Sequence, residues 1–384
     1  MNTDKTIRNG ELLSNIRFIL GRKGLSQRDF ADLLGKTEAE VSRWMSGKVN
    51  ISRQSQEKIE SILGEAISSD STFRATTSEV KIGIIGTGNI ALRFLNESRH
   101  VHGVKVVAAY NPDICQADVF CSRHRIACRA SSAEELLTVV DAVYVASPVA
   151  THYDYTKMAL EHGRHVLCEM PFTATRKEAA ELLKIATRRN LVLLPAIKTA
   201  YCQSFKQFLD VAKSGIIGEV VDVSATVTNL LGDEVSDDFA NERMQENFSY
   251  PILTFFKLCG LEYNDVHPFI RRNDDRLEYV NAAVRYDDAI CVLKVGVGVK
   301  SEGILVVSGT KGYIYVPAPW WKPDYFEVRF EDQTHNRKYF FPYDADGLRY
   351  ELQVFKDKIN RQDNMEYVSR DELLHLIEIQ NKIS

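Results

Sequence analysis

Apolar residues follow two different spacings along this chain of 384 residues. In residues 11–65 they recur every three or four positions, in short stretches separated by polar turns, which predicts amphipathic helices. From residue 80 to residue 196, short apolar runs take turns with helical stretches, and this alternation predicts a parallel, doubly wound sheet. The apolar face of the first N-terminal helix is predicted to consist of Leu12, Leu13, Ile16, Ile19 and Leu20.

The stretch KIGIIGTGNIA, residues 81–91, joins one of the predicted buried strands to a helix. Gly86 permits a tight turn, and Gly88 has no side chain, so a pyrophosphate can approach the backbone and the helix N-terminus. Ala91 is small enough for close packing of the helix on the strand. A glycine-rich loop in this context indicates dinucleotide binding, while an ordinary glycine-rich turn is the alternative.

Two short helices and a glycine turn between them dominate the N-terminal region. Ser26 is predicted to cap the first of them, over 27–34, and Thr37 the second, which Gly47 ends. The motif LSQRDFADLLGKTEAEVSRWMSGKVNIS resembles the repressor-type (XRE/Cro-like) helix-turn-helix family, and the resemblance makes 38–44 the recognition helix. It also implies that residues 11–65 bind DNA, with contacts from Gln27, Glu38, Ser42, Arg43 and Lys48. A helical bundle used for protein contacts is the alternative.

Charge and composition separate this region from the rest of the chain. Residues 1–66 hold 11 Lys and Arg against 9 Asp and Glu, a net charge of +2, while the whole chain has −4. Because +2 is modest for a DNA-binding domain, a dimer that reads paired half-sites is expected. The stretch AISSDSTFRATTSE, residues 66–79, has no apolar period and is interpreted as a linker. The predicted domains are a helix-turn-helix domain over 1–66, a linker over 67–79, a dinucleotide domain over 80–198 and a C-terminal domain over 199–384.

The carboxyl ends of the predicted parallel strands carry the polar residues of a candidate site, because ligands of such sheets lie there. The stretch VASPVATHYDYTKMALEHGRHVLCEMPF, together with the glycine loop and GLRYELQVF, resembles the Gfo/Idh/MocA oxidoreductases, and best the subgroup of glucose-fructose oxidoreductase and dimeric dihydrodiol dehydrogenase. The resemblance covers residues 80–384 and implies an α/β chain. The predicted chain thus begins with the all-α helix-turn-helix, continues with a Rossmann domain with a doubly wound parallel sheet, and ends with an α+β domain that has a large, mostly antiparallel sheet. Strands for that sheet are expected at 219–229, 279–287, 289–299, 303–309, 312–316 and 325–331, and helices near 348–360 and 370–382 are expected to fold back on the Rossmann domain.

The resemblance implies NAD or NADP as the cofactor. An acidic residue that usually holds the adenosine ribose is replaced by Asn111, which can hydrogen-bond a hydroxyl but carries no charge, and no Arg follows directly to receive a 2′-phosphate. NAD is therefore mildly preferred; a plain turn is the alternative reading of Asn111. The expected cofactor-binding residues are Gly86, Thr87, Gly88, Asn89, Ile90, Asn111, Ser147, Pro148, His152, Glu169 and Met170.

The catalytic part of the resemblance is incomplete. The family motif Glu-Lys-Pro supplies a lysine that binds the substrate hydroxyl and assists proton transfer, whereas this chain has Glu169-Met170-Pro171. A thioether has neither a proton to donate nor a positive charge, so Met170 cannot take that role. Tyr250 matches the second acid/base position, and Lys198, at the end of a neighbouring strand, is the candidate to replace the lost lysine.

Other functional classes find little support in the composition. Seven cysteines are scattered without a Cys-x-x-Cys pair, which favours reduced thiols over disulfides, and no histidine spacing indicates a metal site. There is no run of about 18 apolar residues, and the polar start is unlike a signal peptide, so a cytoplasmic protein without membrane segments is expected. A homo-oligomer is expected from the family.

Two functions compete at this point. In the first, the protein is a DNA-binding regulator or sensor whose oxidoreductase-like part binds NAD(P) and a sugar-like small molecule, with weak or no turnover. In the second, it is an active NAD(P)-dependent oxidoreductase of a sugar or polyol hydroxyl, with Tyr250 and Lys198 in proton transfer and an accessory helix-turn-helix. The loss of the lysine favours the first, because removing a general acid or base costs about 10²–10⁴ in rate.

Overall fold

A computed structural model describes most of the chain. The described residues are 12–63, with gaps at 14–15, 17–18, 21–24, 26, 46–48 and 50, followed by 79–231, 236–341 and 343–384. The chain divides into two compact units, one within residues 1–77 and the other spanning 78–384. Within the part that the structure describes, none of the helices is both long enough and apolar enough to cross a membrane.

The first unit is helical. Residues 12, 13, 16, 19 and 20 lie in helical conformation, and all five side chains are buried, as the apolar spacing predicts. They share one core with Phe30, Leu34, Val41 and Ile59. The three complete helices are α1 (Gln27–Leu34), α2 (Glu38–Met45) and α3 (Arg53–Leu63).

The start of α2 is fixed by its own side chains. The Thr37 hydroxyl accepts a hydrogen bond from the Glu40 backbone N–H at 3.3 Å, and the Thr37 N–H donates to the Glu40 carboxylate at 3.0 Å. This reciprocal arrangement is a capping box and confirms Thr37 as the cap. Ser26 and Gly47, the other two predicted helix boundaries, lie outside the described residues.

The second unit begins with a six-stranded parallel sheet. Its strand order is β3-β2-β1-β4-β5-β6, so the order reverses between β1 and β4. The helices that alternate with these strands cover both faces, which explains why β1 and β4 are almost entirely apolar and buried. The elements are β1 (Val80–Ile85), α4 (Asn89–Ser98), β2 (Val104–Tyr110), α5 (Ile114–His124), β3 (Cys128–Arg129), α6 (Ala133–Val139), β4 (Ala142–Val145), α7 (His152–Glu161), β5 (His165–Cys168), α8 (Arg176–Arg189) and β6 (Leu193–Pro195).

A second sheet of eight strands follows, in the order β14-β13-β12-β11-β7-β10-β9-β8. Its pairs are antiparallel except β7 with β10, which agrees with the predicted, mostly antiparallel sheet. The strands are β7 (Val220–Asn229), β8 (Asp265–Asn273), β9 (Arg276–Arg285), β10 (Ile290–Val297), β11 (Leu305–Gly309), β12 (Tyr313–Val316), β13 (Tyr325–Arg329) and β14 (Arg337–Phe340). The helices of this part are α9 (Lys198–Tyr201), α10 (Gln203–Lys213), α11 (Asp237–Cys259), α12 (Leu348–Ile359) and α13 (Arg370–Ile383).

The two edge strands of this sheet, β8 and β14, are absent from the sequence-based prediction. Most of their residues are exposed, and β8 contains Pro268. An edge strand has neighbours on one side only, so its side chains need not alternate between apolar and polar, and a proline is tolerated there. The interior strands, in contrast, lie within a few residues of their predicted positions.

The long helix α11 packs on the face of the second sheet, against β7, β9 and β10. Ser236 caps its first turn by accepting from the Phe239 N–H at 3.3 Å. Residues 247–256 are buried without interruption, because this stretch of the helix is covered on several sides. Tyr250 lies in this buried stretch and is 5% exposed.

The two C-terminal helices, α12 and α13, pack against different parts of the second unit. Leu348, Leu352 and Phe355 of α12 belong to the same apolar core as β1 and α4 of the parallel sheet. Helix α13 packs against α11, β8 and α8. The Glu97 carboxylate on α4 links this helix to the start of α12. It accepts hydrogen bonds from Arg349 Nε at 2.7 Å and from the backbone N–H groups of Asp346 and Arg349 at 3.3 Å each.

We expect Glu97→Ala to lower the free energy of unfolding of the 78–384 unit by about 3 kcal/mol, since it leaves a half-buried guanidinium without its carboxylate. Urea unfolding followed by circular dichroism measures this effect. The matched control is Glu161→Ala at the exposed end of α7, which should change the unfolding free energy by less than about 0.5 kcal/mol. Equal effects of the two substitutions would contradict a structural role for the Glu97 contacts.

Candidate functional site

The glycine loop follows β1 at the point where the strand order of the parallel sheet reverses. Gly86 has a φ of +96°, and a Cβ atom at this position would lie 2.3 Å from the Ala146 carbonyl oxygen. Only glycine fits, because the conformation disfavours side chains and the neighbouring strand end leaves no space. Gly88, in contrast, faces open space, and it precedes α4 without any side-chain cap on the helix. The first N–H groups of α4 are therefore directed at an uncovered surface that suits a phosphate.

The end of β2 lies beside this loop. Asn111 Nδ2 donates to the Thr87 hydroxyl at 2.7 Å, and its Oδ1 accepts from the Asp113 backbone N–H at 2.9 Å. Asn111 thus braces the glycine loop while keeping one N–H and part of its oxygen available for a ribose hydroxyl. A cavity of about 390 Å³ opens here; its lining includes Thr87, Gly88, Asn89, Cys115, Gln116 and Arg123.

His152 occupies a different place from the other predicted cofactor residues. Its side chain is buried, with Nδ1 2.7 Å from the Pro171 carbonyl oxygen and Nε2 2.8 Å from the Ser147 carbonyl oxygen. Each ring nitrogen faces a backbone carbonyl oxygen, so His152 connects the loops after β4 and β5. Burial lowers its pKa, and because a neutral ring carries a single N–H it donates to one of these two carbonyl groups at a time. His152 contacts the backbone of Ser147, whereas Pro148 lines a separate cavity together with Val149, Ala150 and Pro171.

The Glu169-Met170 pair ends β5 and is also buried. The Glu169 carboxylate accepts from the Tyr144 hydroxyl and from the Met170 backbone N–H. Burial, together with the negative charge of Glu246, raises the pKa of Glu169 to about 7. Met170 belongs to the main apolar core of the unit and is 6% exposed. Its thioether therefore packs as an apolar side chain would.

Lys198 and Tyr250 come together at the base of a second cavity, of about 190 Å³, which we name the Lys198 cavity. Lys198 Nζ lies 5.9 Å from the centre of the Tyr250 ring, and the Tyr250 hydroxyl donates to Glu246 Oε1 at 3.3 Å. The Trp321 ring stacks on Tyr250, with centroids 6.5 Å apart and 22° between the planes. The pairing of Lys198 with Tyr250 that the sequence suggests is therefore present in space.

The electrostatics of the cavity base oppose an ionised tyrosine. Burial raises the pKa of Tyr250 well above its usual range, and the nearby carboxylates of Glu246 and Glu169 raise it further. Burial lowers the pKa of Lys198, while Glu246 raises it. Tyr250 accordingly keeps its proton and is a weaker acid than a free tyrosine, whereas burial makes Lys198 lose a proton more readily than a free lysine.

Several residues of this cavity are missing from the sequence-based prediction. They come from four separate segments and share no motif: Arg93, Asn229, Arg243, Glu246, Asn247 and Lys322. Glu246 lies one helical turn before Tyr250 on α11, and this spacing is the one signal that the sequence offers. Among the described residues, no group of three or more His, Cys, Asp or Glu side chains is arranged to hold a metal ion.

The predicted DNA-contacting residues lie mainly on one helix of the first unit. Glu38, Ser42 and Arg43 are exposed on α2, whereas Val41, Trp44 and Met45 of the same helix are buried. Gln27, at the start of α1, is partly exposed. Lys48 lies outside the described residues. Helix α2 therefore presents a polar face with the residue types that contact base edges and phosphates.

Comparison with known proteins identifies two families in the chain. Residues 80–196 match the family described as "Oxidoreductase family, NAD-binding Rossmann fold" (GFO_IDH_MocA), and residues 16–68 match a helix-turn-helix family. The predicted cofactor class, NAD or NADP, agrees with the first description. These matches confirm the predicted combination of a helix-turn-helix with an oxidoreductase domain.

Curated relatives match within the oxidoreductase part. The scyllo-inositol 2-dehydrogenase (NADP(+)) of Bacillus subtilis is 35% identical over 130 residues, which are 33% of this chain and 40% of that protein. The dTDP-3,4-didehydro-2,6-dideoxy-alpha-D-glucose 3-reductase of Streptomyces antibioticus is 34% identical over 153 residues, 39% of this chain and 46% of that protein. The matched stretches thus span less than half the length of these relatives.

Solved structures extend the likeness in fold to most of the chain. A 3-ketoreductase from Actinomadura kijaniata, in complex with NADP and TDP-benzene, aligns with a TM-score of 0.69 at 20% identity, covering 80% of this chain and 97% of that one. The UDP-N-acetylglucosamine 3-dehydrogenase of Acidithiobacillus ferrooxidans aligns with a TM-score of 0.68 at 19% identity, covering 79% and 96%. Residues 80–196 thus form an NAD-binding Rossmann domain of the Gfo/Idh/MocA type, and residues 16–68 before it form a helix-turn-helix domain.

Proposed function

We propose that this protein is a DNA-binding regulator that senses NAD(P) and a sugar-like ligand through its oxidoreductase-type unit. One observation carries the proposal: Met170 is buried in the apolar core at the position where the resemblance expects a lysine. The same chain keeps an uncovered glycine loop and an exposed polar face on α2. Ligand binding without efficient turnover, linked to DNA binding, accounts for all three features.

The ligand class follows from the cleft and from the relatives. The names of the relatives refer to an inositol and to a deoxysugar, and both are polyhydroxylated rings. The Lys198 cavity provides hydrogen-bonding groups and the Trp321–Tyr250 stack, a combination that suits a compact polyhydroxylated molecule. We propose the dinucleotide along the glycine loop, with its ribose near Asn111, and the sugar-like ligand in the Lys198 cavity. Ile90, next to the glycines, would help to hold the loop.

The DNA-binding role rests on the first unit. The modest charge of +2 over residues 1–66 favours a homodimer that reads two half-sites, because one such unit would neutralise few phosphates. We propose that ligand binding changes the affinity for an operator, and that the protein works where DNA is accessible, in the cytoplasm.

A second candidate function is catalysis by Lys198 and Tyr250, favoured by the 5.9 Å between the Lys198 amine and the Tyr250 ring. A bound dinucleotide would supply the hydride acceptor or donor. Lys198, whose pKa burial lowers, would give a proton to the carbonyl oxygen during reduction and take it back in the oxidation, while the Tyr250 hydroxyl would hydrogen-bond the same oxygen. Lys198 would orient the substrate oxygen and exchange the proton with Glu246 and solvent.

The dinucleotide site is tested with Gly86→Ala. A methyl group there would meet the Ala146 carbonyl oxygen at 2.3 Å, so the loop must move, and we expect NADH affinity to fall by about tenfold or more. Fluorescence titration with NADH and with NADPH measures the affinity for each cofactor. The control is Gly163→Ala, which also has a positive φ, of +75°, but meets no atom within 4 Å. If the wild-type protein binds neither NADH nor NADPH, the proposed sensor function is wrong.

Catalysis is tested by absorbance at the NADH band with sorbitol, myo-inositol and glucose. We expect no measurable turnover by the wild type and a gain of activity in Met170→Lys, because the substitution restores the lysine that the resemblance expects at this position. If the wild type turns over a substrate, the inactive sensor is wrong and the enzyme is supported. In that case Lys198→Met should lower kcat by about 10²–10⁴, while Lys177→Met, on the exposed face of α8, should have no effect.

DNA binding is tested by selecting sequences from random duplex DNA with the full-length protein. We expect a two-part site, and Arg43→Ala should weaken binding to it by about tenfold, since one exposed guanidinium on α2 is lost. Arg99→Ala removes the same charge from the other unit and controls for net charge. Failure to enrich any sequence would contradict the proposed role as a DNA-binding regulator.

A further inference from the structure

The Lys198 cavity has an excess of positive charge. Four cationic side chains line it, those of Arg93, Lys198, Arg243 and Lys322, whereas Glu246 is the one carboxylate in its described lining. These residues come from four different segments, so the excess arises from the fold and not from a basic stretch of sequence. A cavity that surrounds its occupant with one sign of charge selects the opposite sign.

The ion pairs around the cavity leave this excess in place. Arg243 Nη1 lies 2.7 Å from Glu246 Oε2, and the two charges compensate each other. Lys322 Nζ lies 2.5 Å from Asp346 Oδ1, while Arg93 Nη1 lies 3.6 Å from Oδ2 of the same carboxylate. Two cations thus share Asp346. A second anionic group beside Arg93 and Lys322 would balance the pair.

The cationic side chains lie at different depths in the cavity. Lys198 and Tyr250 are 7% and 5% exposed and form its base. The side chains of Arg93 and Lys322 are 35% and 24% exposed and lie nearer to solvent. A ligand would therefore place a hydroxyl group at the base and an anionic group toward Arg93 and Lys322. Both cations can form charge-assisted hydrogen bonds there, and Arg93 can do so with two N–H groups.

We propose that the ligand of this cavity is an anionic sugar derivative, either a sugar acid or a sugar phosphate, whose anionic group is bound by Arg93 and Lys322. This inference rests on the proposed function, which assigns a sugar-like ligand to the cavity, and it specifies that this ligand is negatively charged. The carboxylate and the phosphate share the same recognition chemistry and are separated by the experiment.

The experiment compares three probes with the same six-carbon skeleton: sorbitol, gluconate and sorbitol 6-phosphate. Isothermal titration of the full-length protein measures their affinities, with and without saturating NADH, and inorganic phosphate is titrated as a fourth probe. We expect at least one of the two anionic sugars to bind about tenfold more tightly than sorbitol. Tighter binding of gluconate indicates a sugar acid, and tighter binding of sorbitol 6-phosphate indicates a sugar phosphate.

Two variants locate the anion. Arg93→Gln and Lys322→Met should each weaken the preferred anionic probe by about fivefold or more, and should weaken sorbitol, which has no anionic group, by a clearly smaller factor. Arg99→Gln is the matched control for Arg93→Gln, because Arg99 is the exposed C-terminal cap of the same helix, α4. It should leave all four affinities at the wild-type values.

The inference is wrong if sorbitol binds as tightly as both anionic sugars, or if none of the anionic probes binds. It is also wrong if Arg93→Gln and Arg99→Gln weaken the anionic probe equally, because the preference would then reflect net charge alone. Loss of NADH binding is a separate outcome: it contradicts the proposed function, whereas a preference for anions in the absence of NADH would still support this cavity assignment.

Discussion

The close approach of two strand ends in the parallel sheet is the constraint on which the oxidoreductase unit depends. Gly86 and the Ala146 carbonyl are so near that no side chain fits between them. Hydrogen bonds join β1 and β4 up to their carboxyl ends, where the strand order reverses and the crevice of such sheets opens. A larger residue at position 86 would have to displace this backbone, and with it the glycine loop that leads into α4.

Buried charge is the second theme of the unit. Glu169 and Lys198 are almost completely buried, and Glu351 on α12 is fully so, with neither carboxylate oxygen hydrogen-bonded among the described residues. Burial raises the pKa of Glu351 well above its usual range, because it disfavours the charged carboxylate. Burial likewise raises the pKa of Glu169 to about 7 and lowers the pKa of Lys198. The positive excess of the Lys198 cavity comes from the four cationic side chains that line it.

The missing lysine has a structural counterpart in this arrangement. Met170 continues the apolar core at the end of β5, and Lys198 approaches Tyr250 from the end of the neighbouring strand β6. Lys198 thus brings a cation to Tyr250 from the strand end next to the one that carries Met170. This position suits ligand recognition as well as proton transfer, so turnover by the wild type separates the two functions.

The sequence by itself determined the order of the elements and the identity of the glycine loop. Periodicity revealed the helical face of Leu12 to Leu20 and the parallel strands, because burial on one helix face or on both strand faces repeats locally along the chain. It missed the edge strands β8 and β14, whose exposed residues carry no such repeat. The pairing of Lys198 with Tyr250 was a hypothesis from two motifs. The contribution of Arg93, Glu246 and Lys322 was decided by the tertiary structure alone, since these residues lie far apart in sequence and only the packing of α4, α11 and the loop after β12 brings their charges to one cavity.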